Sequence, residues 1–254
     1  MTIPLVPAVQ ARDLSPTVQP LIGGCAAGGS TFVQKYVQKR DVDVPIDHFE
    51  GVRGDTTIVS QLDACIGTGG GGTFVDFANM QTNVADHIVQ LAYGKINAGD
   101  SYHFYWTPNG VSAGSQWAGT LVPIAGHRIR GTITKDFDRG GNVVAHYTLF
   151  DITANITESM NGTYPTGDMN VAWWGEERLD NSAQMGATEN FGSYPSTQLA
   201  YMGYRPNATT AWTFRSGLVA ADIKTTGSVQ SCEHAYIGTW VYTHDMLNLS
   251  NTCF

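Results

Sequence analysis

With 254 residues, 42% of them hydrophobic, the chain is long enough to bury one large core, and a single β-sandwich of this length is ordinary. Charged residues make up only 14%, against roughly 25% in a typical soluble domain. A net charge of −8 without any basic cluster argues against nucleic acid as a partner, and no apolar run approaches the roughly 18 residues of a membrane span.

Residues 1–30 carry Pro4, Pro7, Pro16 and Pro20 and then a glycine-rich stretch at 23–29, which reads as an irregular N-terminal arm. Residues 1–7 show neither the basic nor the apolar region of a signal peptide, so such a leader has been removed or never existed. Residues 30–39 are the best stretch with helical periodicity, and it is short. Thr68-Gly-Gly-Gly-Gly72 lacks the Gly-Lys-Ser/Thr of a phosphate loop and reads as a surface loop. Beyond it, short runs rich in Val, Ile, Thr, Tyr, Phe and Trp alternate with Gly, Asn and Asp, as at 87–96, 101–107, 126–134, 142–152, 169–179, 210–214 and 236–243. This is the pattern of strands and turns. The expected architecture over 31–254 is all-β, a single-domain antiparallel two-sheet β-sandwich of jelly-roll or concanavalin-like type.

Some motifs are better explained by turns than by chemistry. Gly110-Val-Ser112-Ala-Gly114 matches a nucleophile elbow, but no helical pattern follows it. Asp136-Phe-Asp138-Arg-Gly140-Gly-Asn142 begins like a calcium loop, has glycine at the fifth position and reads as a hairpin connection. Cys25, Cys65, Cys232 and Cys253 form no Cys-x-x-Cys pair, and the seven histidines are scattered. We therefore expect neither a metal nor another cofactor. Four cysteines in a Lys-poor chain suit two disulfides in a secreted protein, with Cys25–Cys65 and Cys232–Cys253 the favoured pairing of three possible, and the Asn155, Asn161, Asn207 and Asn248 sequons are compatible with secretion.

Two stretches stand apart. In the first, Gln90 interrupts the apolar run around Tyr93, and an aromatic series follows through Tyr102, Phe104, Tyr105 and Trp106. A buried amide without partners costs about 1–3 kcal/mol, so Gln90 requires a reason. In the second, Trp173-Trp174-Gly175-Glu176-Glu177 sets two carboxylates behind two tryptophans. Neighbouring strand residues face opposite sides, so only one of Glu176 and Glu177 can enter a given cleft. Tyr93, Tyr105, Trp106, Trp173 and Trp174 are the candidate substrate-binding aromatics.

In order and spacing these stretches resemble the glutamic peptidases, both eqolisins and neprosins. Val89-Gln90-Leu91-Ala92-Tyr93 is similar to the eqolisin glutamine segment, Tyr105-Trp106-Thr107-Pro108-Asn109-Gly110 to the neprosin Y-W-T-x-D-G, and Trp174-Gly175-Glu176-Glu177 to W-G-G-E, with Gln184-Met185-Gly186 after it. Asn109 replaces the motif's aspartate, Ala92 replaces a glycine, and the neprosin cysteine pair has no counterpart. The resemblance implies a secreted endopeptidase acting on polypeptides in acid, with Glu177 as general base and Gln90 orienting water and binding the oxyanion. Glu176 is the alternative to Glu177. A glutamate of ordinary pKa, around 4.3, would suit acid service. Two other readings compete: a non-catalytic carbohydrate-binding or surface-interaction module, and a glycan-cleaving enzyme pairing Glu176 or Glu177 with Asp151, Asp180 or Glu189. The oligomeric state stays open.

Overall fold

The structure is a computed structural model that describes residues 33–40, 48–59, 73–82, 87–95, 101–111, 114–178, 197–226, 233–240 and 244–251. The four cysteines, the 1–30 arm, the 68–72 loop, Ser112, Asp180, residues 184–186 and Glu189 lie outside the described residues.

Fifteen strands follow in chain order: β1 (Val33–Arg40), β2 (Gly51–Thr57), β3 (Thr73–Gln81), β4 (Ile88–Lys95), β5 (His103–Trp106), β6 (Ser115–Gln116), β7 (Arg128–Phe137), β8 (Val143–Asp151), β9 (Ile156–Thr163), β10 (Val171–Arg178), β11 (Thr197–Arg205), β12 (Thr213–Phe214), β13 (Lys224–Thr226), β14 (Glu233–Trp240) and β15 (His244–Asn251). They form two antiparallel sheets. One has seven strands in the order β13-β1-β10-β3-β4-β5-β6; the other has eight, ordered β14-β15-β11-β2-β7-β8-β9 with β12 on β11. This is the β-sandwich expected from the sequence. The 30–39 stretch departs from its helical reading: β1 pairs with β10 on one side and β13 on the other, and two ladders of hydrogen bonds override a short, weak helical period.

Strict alternation builds the core. Ile129 and Ile133 of β7, Tyr147 and Leu149 of β8, Val89, Leu91 and Tyr93 of β4 and Trp174 of β10 all point between the sheets and are sealed from solvent. The sheets approach closely where Phe77 lies against Gly131, since a Cβ there would collide with the Phe77 ring. Trp174 crosses the gap and donates from Nε1 to the Arg53 carbonyl at 2.8 Å, so the indole satisfies its polar atom while filling core volume. In the Asp136–Asn142 hairpin, Asp138 Oδ1 accepts from the backbone N–H groups of Gly140 and Asn142, both at 2.8 Å, which is turn chemistry. After Gly114 comes β6 rather than a helix, as an elbow would require. Asn155, Asn161 and Asn207 are exposed, whereas Asn248 is buried in β15.

Candidate active site

The seven-stranded sheet turns one face to the core and one away from it, and alternation assigns each side chain. On β10, Trp174 lies in the core, so Glu176 shares its side and is fully buried. Trp173, Gly175 and Glu177 occupy the outer face. Lys35 of β1 stands opposite Glu176 in register and is buried as well. On β4, Val89, Leu91 and Tyr93 enter the core, leaving Ile88, Gln90 and Ala92 outside. Gln90 and Glu177 therefore share the outer face, on the two strands that flank β3. Both keep part of their surface accessible.

The strand between them supplies a third group. β3 holds one extra residue at Phe77–Ala78 relative to both neighbours: Asp76 pairs with Ala92 and Gly175, while Ala78 pairs with Leu91 and Asn79 with Trp173. This bulge places two consecutive side chains, Phe77 and Ala78, in the core and turns both Asp76 and Asn79 onto the site face. Gln90 Nε2 donates to Asp76 Oδ1 across the ladder. Gln90 also hydrogen-bonds the Glu177 carboxylate, to which Gln34 Nε2 of β1 donates at 3.4 Å. One amide thus bridges two carboxyls.

The motif residues explain how this geometry is held. Thr107 Oγ1 accepts the backbone N–H of Gln90 at 3.0 Å and lies 3.1 Å from the Tyr147 hydroxyl, so the threonine of Tyr105-Trp106-Thr107 pins the glutamine strand from the neighbouring turn. Gly175 sits where β1 crosses closest: a Cβ there would strike the Lys35 carbonyl and Tyr36. Only glycine lets the strand bearing Glu177 approach Gln34 this tightly.

Burial and mutual repulsion shape the charges. Asp76 is inaccessible to solvent, and desolvation together with the nearby Glu177 pushes its pKa well above the usual carboxylate range, against the opposing pull of the Gln90 hydrogen bond. Burial likewise raises Glu177 to about 7, with the Gln34 and Gln90 hydrogen bonds working the other way. The ordinary glutamate pKa expected from sequence is thus replaced by one near neutrality. Asp76 Oδ2, Asn79 Oδ1 and Trp173 Nε1 are buried without a hydrogen-bond partner among the described residues. Three polar atoms on the site face thus have capacity for a water or a peptide group.

The sequence-nominated residues divide. The structure brings together Gln90 and Glu177 and places Trp173 and Tyr105 on the same face, Trp173 edge-on to Tyr36 at 5.9 Å and Tyr105 against Phe74 at 4.9 Å. Glu176, Trp174, Tyr93 and Trp106 are corrections, because alternation sends all four into the core. Trp106 packs there against Tyr147 at 5.1 Å and Trp117 at 5.6 Å, where no substrate reaches. Asp151 lies on the other sheet, 2.7 Å from His127, and is no second carboxyl for Glu177. Asp76, Asn79 and Gln34 escaped the sequence reading. The available signal was a polar pair, Asp76 and Asn79, inside an otherwise strand-like Phe74–Met80, spaced by three instead of two.

No protein-family model and no curated protein matches the sequence. By fold, the chain is similar to scytalido-glutamic peptidase solved with a transition-state analogue inhibitor, with TM-score 0.54 and 11% identity over 89% of this chain and 100% of that one. A second structure of that peptidase, with a peptide-based transition-state analogue, gives TM-score 0.52 and 12% identity at the same coverage. SCP-B, a member of the eqolisin family in complex with the tripeptide Ala-Ile-His, gives TM-score 0.50 and 12% identity, again covering 89% and 100%. At such identities the likeness is one of architecture, and what it establishes is that this chain adopts the two-sheet fold of the eqolisin glutamic peptidases.

Proposed function

We propose that this protein hydrolyses peptide bonds with Gln90 and Glu177 as its reactive pair, Glu177 removing a proton from water and returning it to the leaving amine. One observation carries the reading: a single amide bridges a raised, accessible carboxyl and a buried one on the outer face of the sheet. A group near pKa 7 is balanced between accepting and releasing a proton in mildly acidic to neutral solution. When Glu177 takes the proton from water it loses its charge, and with it its hold on the Gln90 N–H. The developing oxyanion then becomes the stronger acceptor, so the amide's donor follows the charge from carboxylate to oxyanion. Asp76 keeps its bond to the other side of the amide and fixes the plane in which it works. Trp173 and Tyr105 would flank an extended polypeptide.

Acid action, as the resemblance implies, is part of this proposal in milder form: activity extends below neutrality and falls in strong acid as Glu177 is protonated. Secretion is also proposed, supported by three exposed sequons. The test is digestion of a denatured protein from about pH 3 to about pH 8 by the wild type, Glu177→Gln and Gln90→Ala. A rate that rises toward pH 7 and disappears in both variants is expected. Absence of cleavage at every pH, or cleavage that survives Glu177→Gln, overturns the reading and leaves the sandwich as a binding module.

A further inference from the structure

The outer face of the eight-stranded sheet carries a second built cluster, with the opposite charge. Arg53 and Asp55 of β2, Arg128 and Arg130 of β7 and Arg205 of β11 lie side by side there, with Tyr201, Trp212 and Phe214 packed over them. Four of the chain's 14 basic residues meet at this place in a protein of net charge −8. Asp55, 1% exposed, accepts from Arg128 Nη2 at 2.6 Å and from Arg130 Nε and Nη2 at 2.8 and 2.9 Å, so those two guanidiniums occupy it. Arg53 has no carboxylate as a hydrogen-bond acceptor among the described residues, and its Nε is buried without a partner.

The aromatic residues hold the cations in place instead of neutralising them. The Arg53 guanidinium carbon lies 5.3 Å from the Phe214 ring centre and 5.9 Å from those of Tyr201 and Trp212, and that of Arg205 lies 4.6 Å from Trp212. Tyr201 stands in the left-handed region at φ 48°, inside the register shift between Ala200 and Gly203. A bulky residue rarely adopts that conformation, and here it carries the ring over Arg53, Arg128 and Arg130 together. Rings contribute part of a counter-charge at most. The patch is left with more fixed positive than negative charge in a partly desolvated setting, and burial with the neighbouring Arg130 pulls the Arg53 pKa down.

We infer that this face is an anion-binding site, on the side of the sandwich away from Gln90 and Glu177, in which Arg53 and Arg205, stacked on Trp212, take a tetrahedral dianion of the sulfate or phosphate type. Guanidinium forks match such oxyanions in both geometry and charge, and a stacked fork loses little freedom when it binds. The dianion is either a free ion or an ester carried on a larger molecule, whose body would then lie on the Trp212 ring.

Calorimetric titration of the full chain with inorganic sulfate, inorganic phosphate and a monosaccharide sulfate ester, each against sodium chloride at matched ionic strength, tests this. Saturable binding is expected for the wild type and for Glu177→Gln, with affinity about tenfold weaker in Arg53→Gln and in Arg205→Gln. The two variants guard each other against a failure to fold. An ester that binds more tightly than free sulfate identifies a carried group; equal or weaker binding identifies the free ion. A non-saturable response to sulfate is the general salt effect on stability. That result, or affinity unchanged in the arginine variants, overturns the site.

Discussion

Asp55 and Asp76 are the same residue in the same kind of place: each lies on the middle strand in the order of its sheet, points to an outer face, and is 1% or less exposed. Their partners make them different devices. Asp55 is gripped by Arg128 and Arg130, and three hydrogen bonds from two cations make it a structural pin. Asp76 is given an amide and a second carboxyl, so its negative charge is opposed by burial and by Glu177. Burial alone therefore does not decide what a carboxylate is for. The charge of the neighbour decides whether the group is pinned between cations or has its pKa raised beside an accessible site.

Five substitutions would break or sharpen that contrast. The largest effect is expected at Glu177: Glu177→Gln keeps shape and burial but removes the base, and should lower kcat/KM by about ten-thousandfold in a peptide cleavage assay. Glu176→Gln, on the core side of the same strand, should leave kcat within about tenfold; an equal loss there would contradict the facing assignment.

Next comes the pin. Asp55→Ala strands two guanidiniums and should cost about 3–5 kcal/mol, or roughly 10 °C in Tm. A change under about 1 kcal/mol in denaturant melts would show that the arginines hold no structural load through Asp55. Thr107→Val removes the acceptor for the Gln90 backbone N–H and should cost about 1–3 kcal/mol together with activity, because the strand carrying the amide loses its anchor.

The smallest effect has the opposite sign to that of Asp55. Asp76 and Glu177 both have folded-state pKa values raised above their unfolded ones. The folded state therefore holds protons that the unfolded chain releases, and the stability these groups contribute is complete in acid and is lost as pH rises toward about 7. Asp76→Asn should flatten this loss, raising Tm by about 3 °C near pH 7 and by little near pH 4. A variant that melts lower at both pH values would show that the Asp76 carboxyl is needed as a charged partner, and the contrast with Asp55 would collapse.

Much of the site was legible because a strand has period two. Alternation alone required Glu176 and Glu177 to part company, and the resemblance of Trp174-Gly175-Glu176-Glu177 to the family's W-G-G-E favoured Glu177, which the structure places on the face of Gln90. Alternation cannot say which of the two faces is the core. That is why Trp106, Trp174 and Tyr93 read as cleft walls when they are core residues, while Trp173 and Tyr105 stood in the same strands with the opposite assignment. Asp76 was hidden by the bulge at Phe77–Ala78. Its spacing to Asn79 breaks the period that marks a strand, and the bulge exists only because β4 and β10 both pair past the extra residue. Gln34 was hidden by a short helical period that two flanking strands overrule.

The amino-acid sequence by itself determined the class of fold and nominated the chemistry: alternating β-branched and aromatic runs commit the chain to sheets, and the resemblance of the Gln90 segment and of Trp174-Gly175-Glu176-Glu177 to glutamic-peptidase motifs nominates the pair proposed to react. Local residue preferences act over a few positions and are written directly in the chain. The tertiary structure decided which face carries the candidate site, that a second carboxyl stands behind the amide, and that burial raises Glu177 to about 7. Those properties arise from desolvation and from charges brought together across strands distant in sequence, and they come into being only when the sheets pair and close on their core.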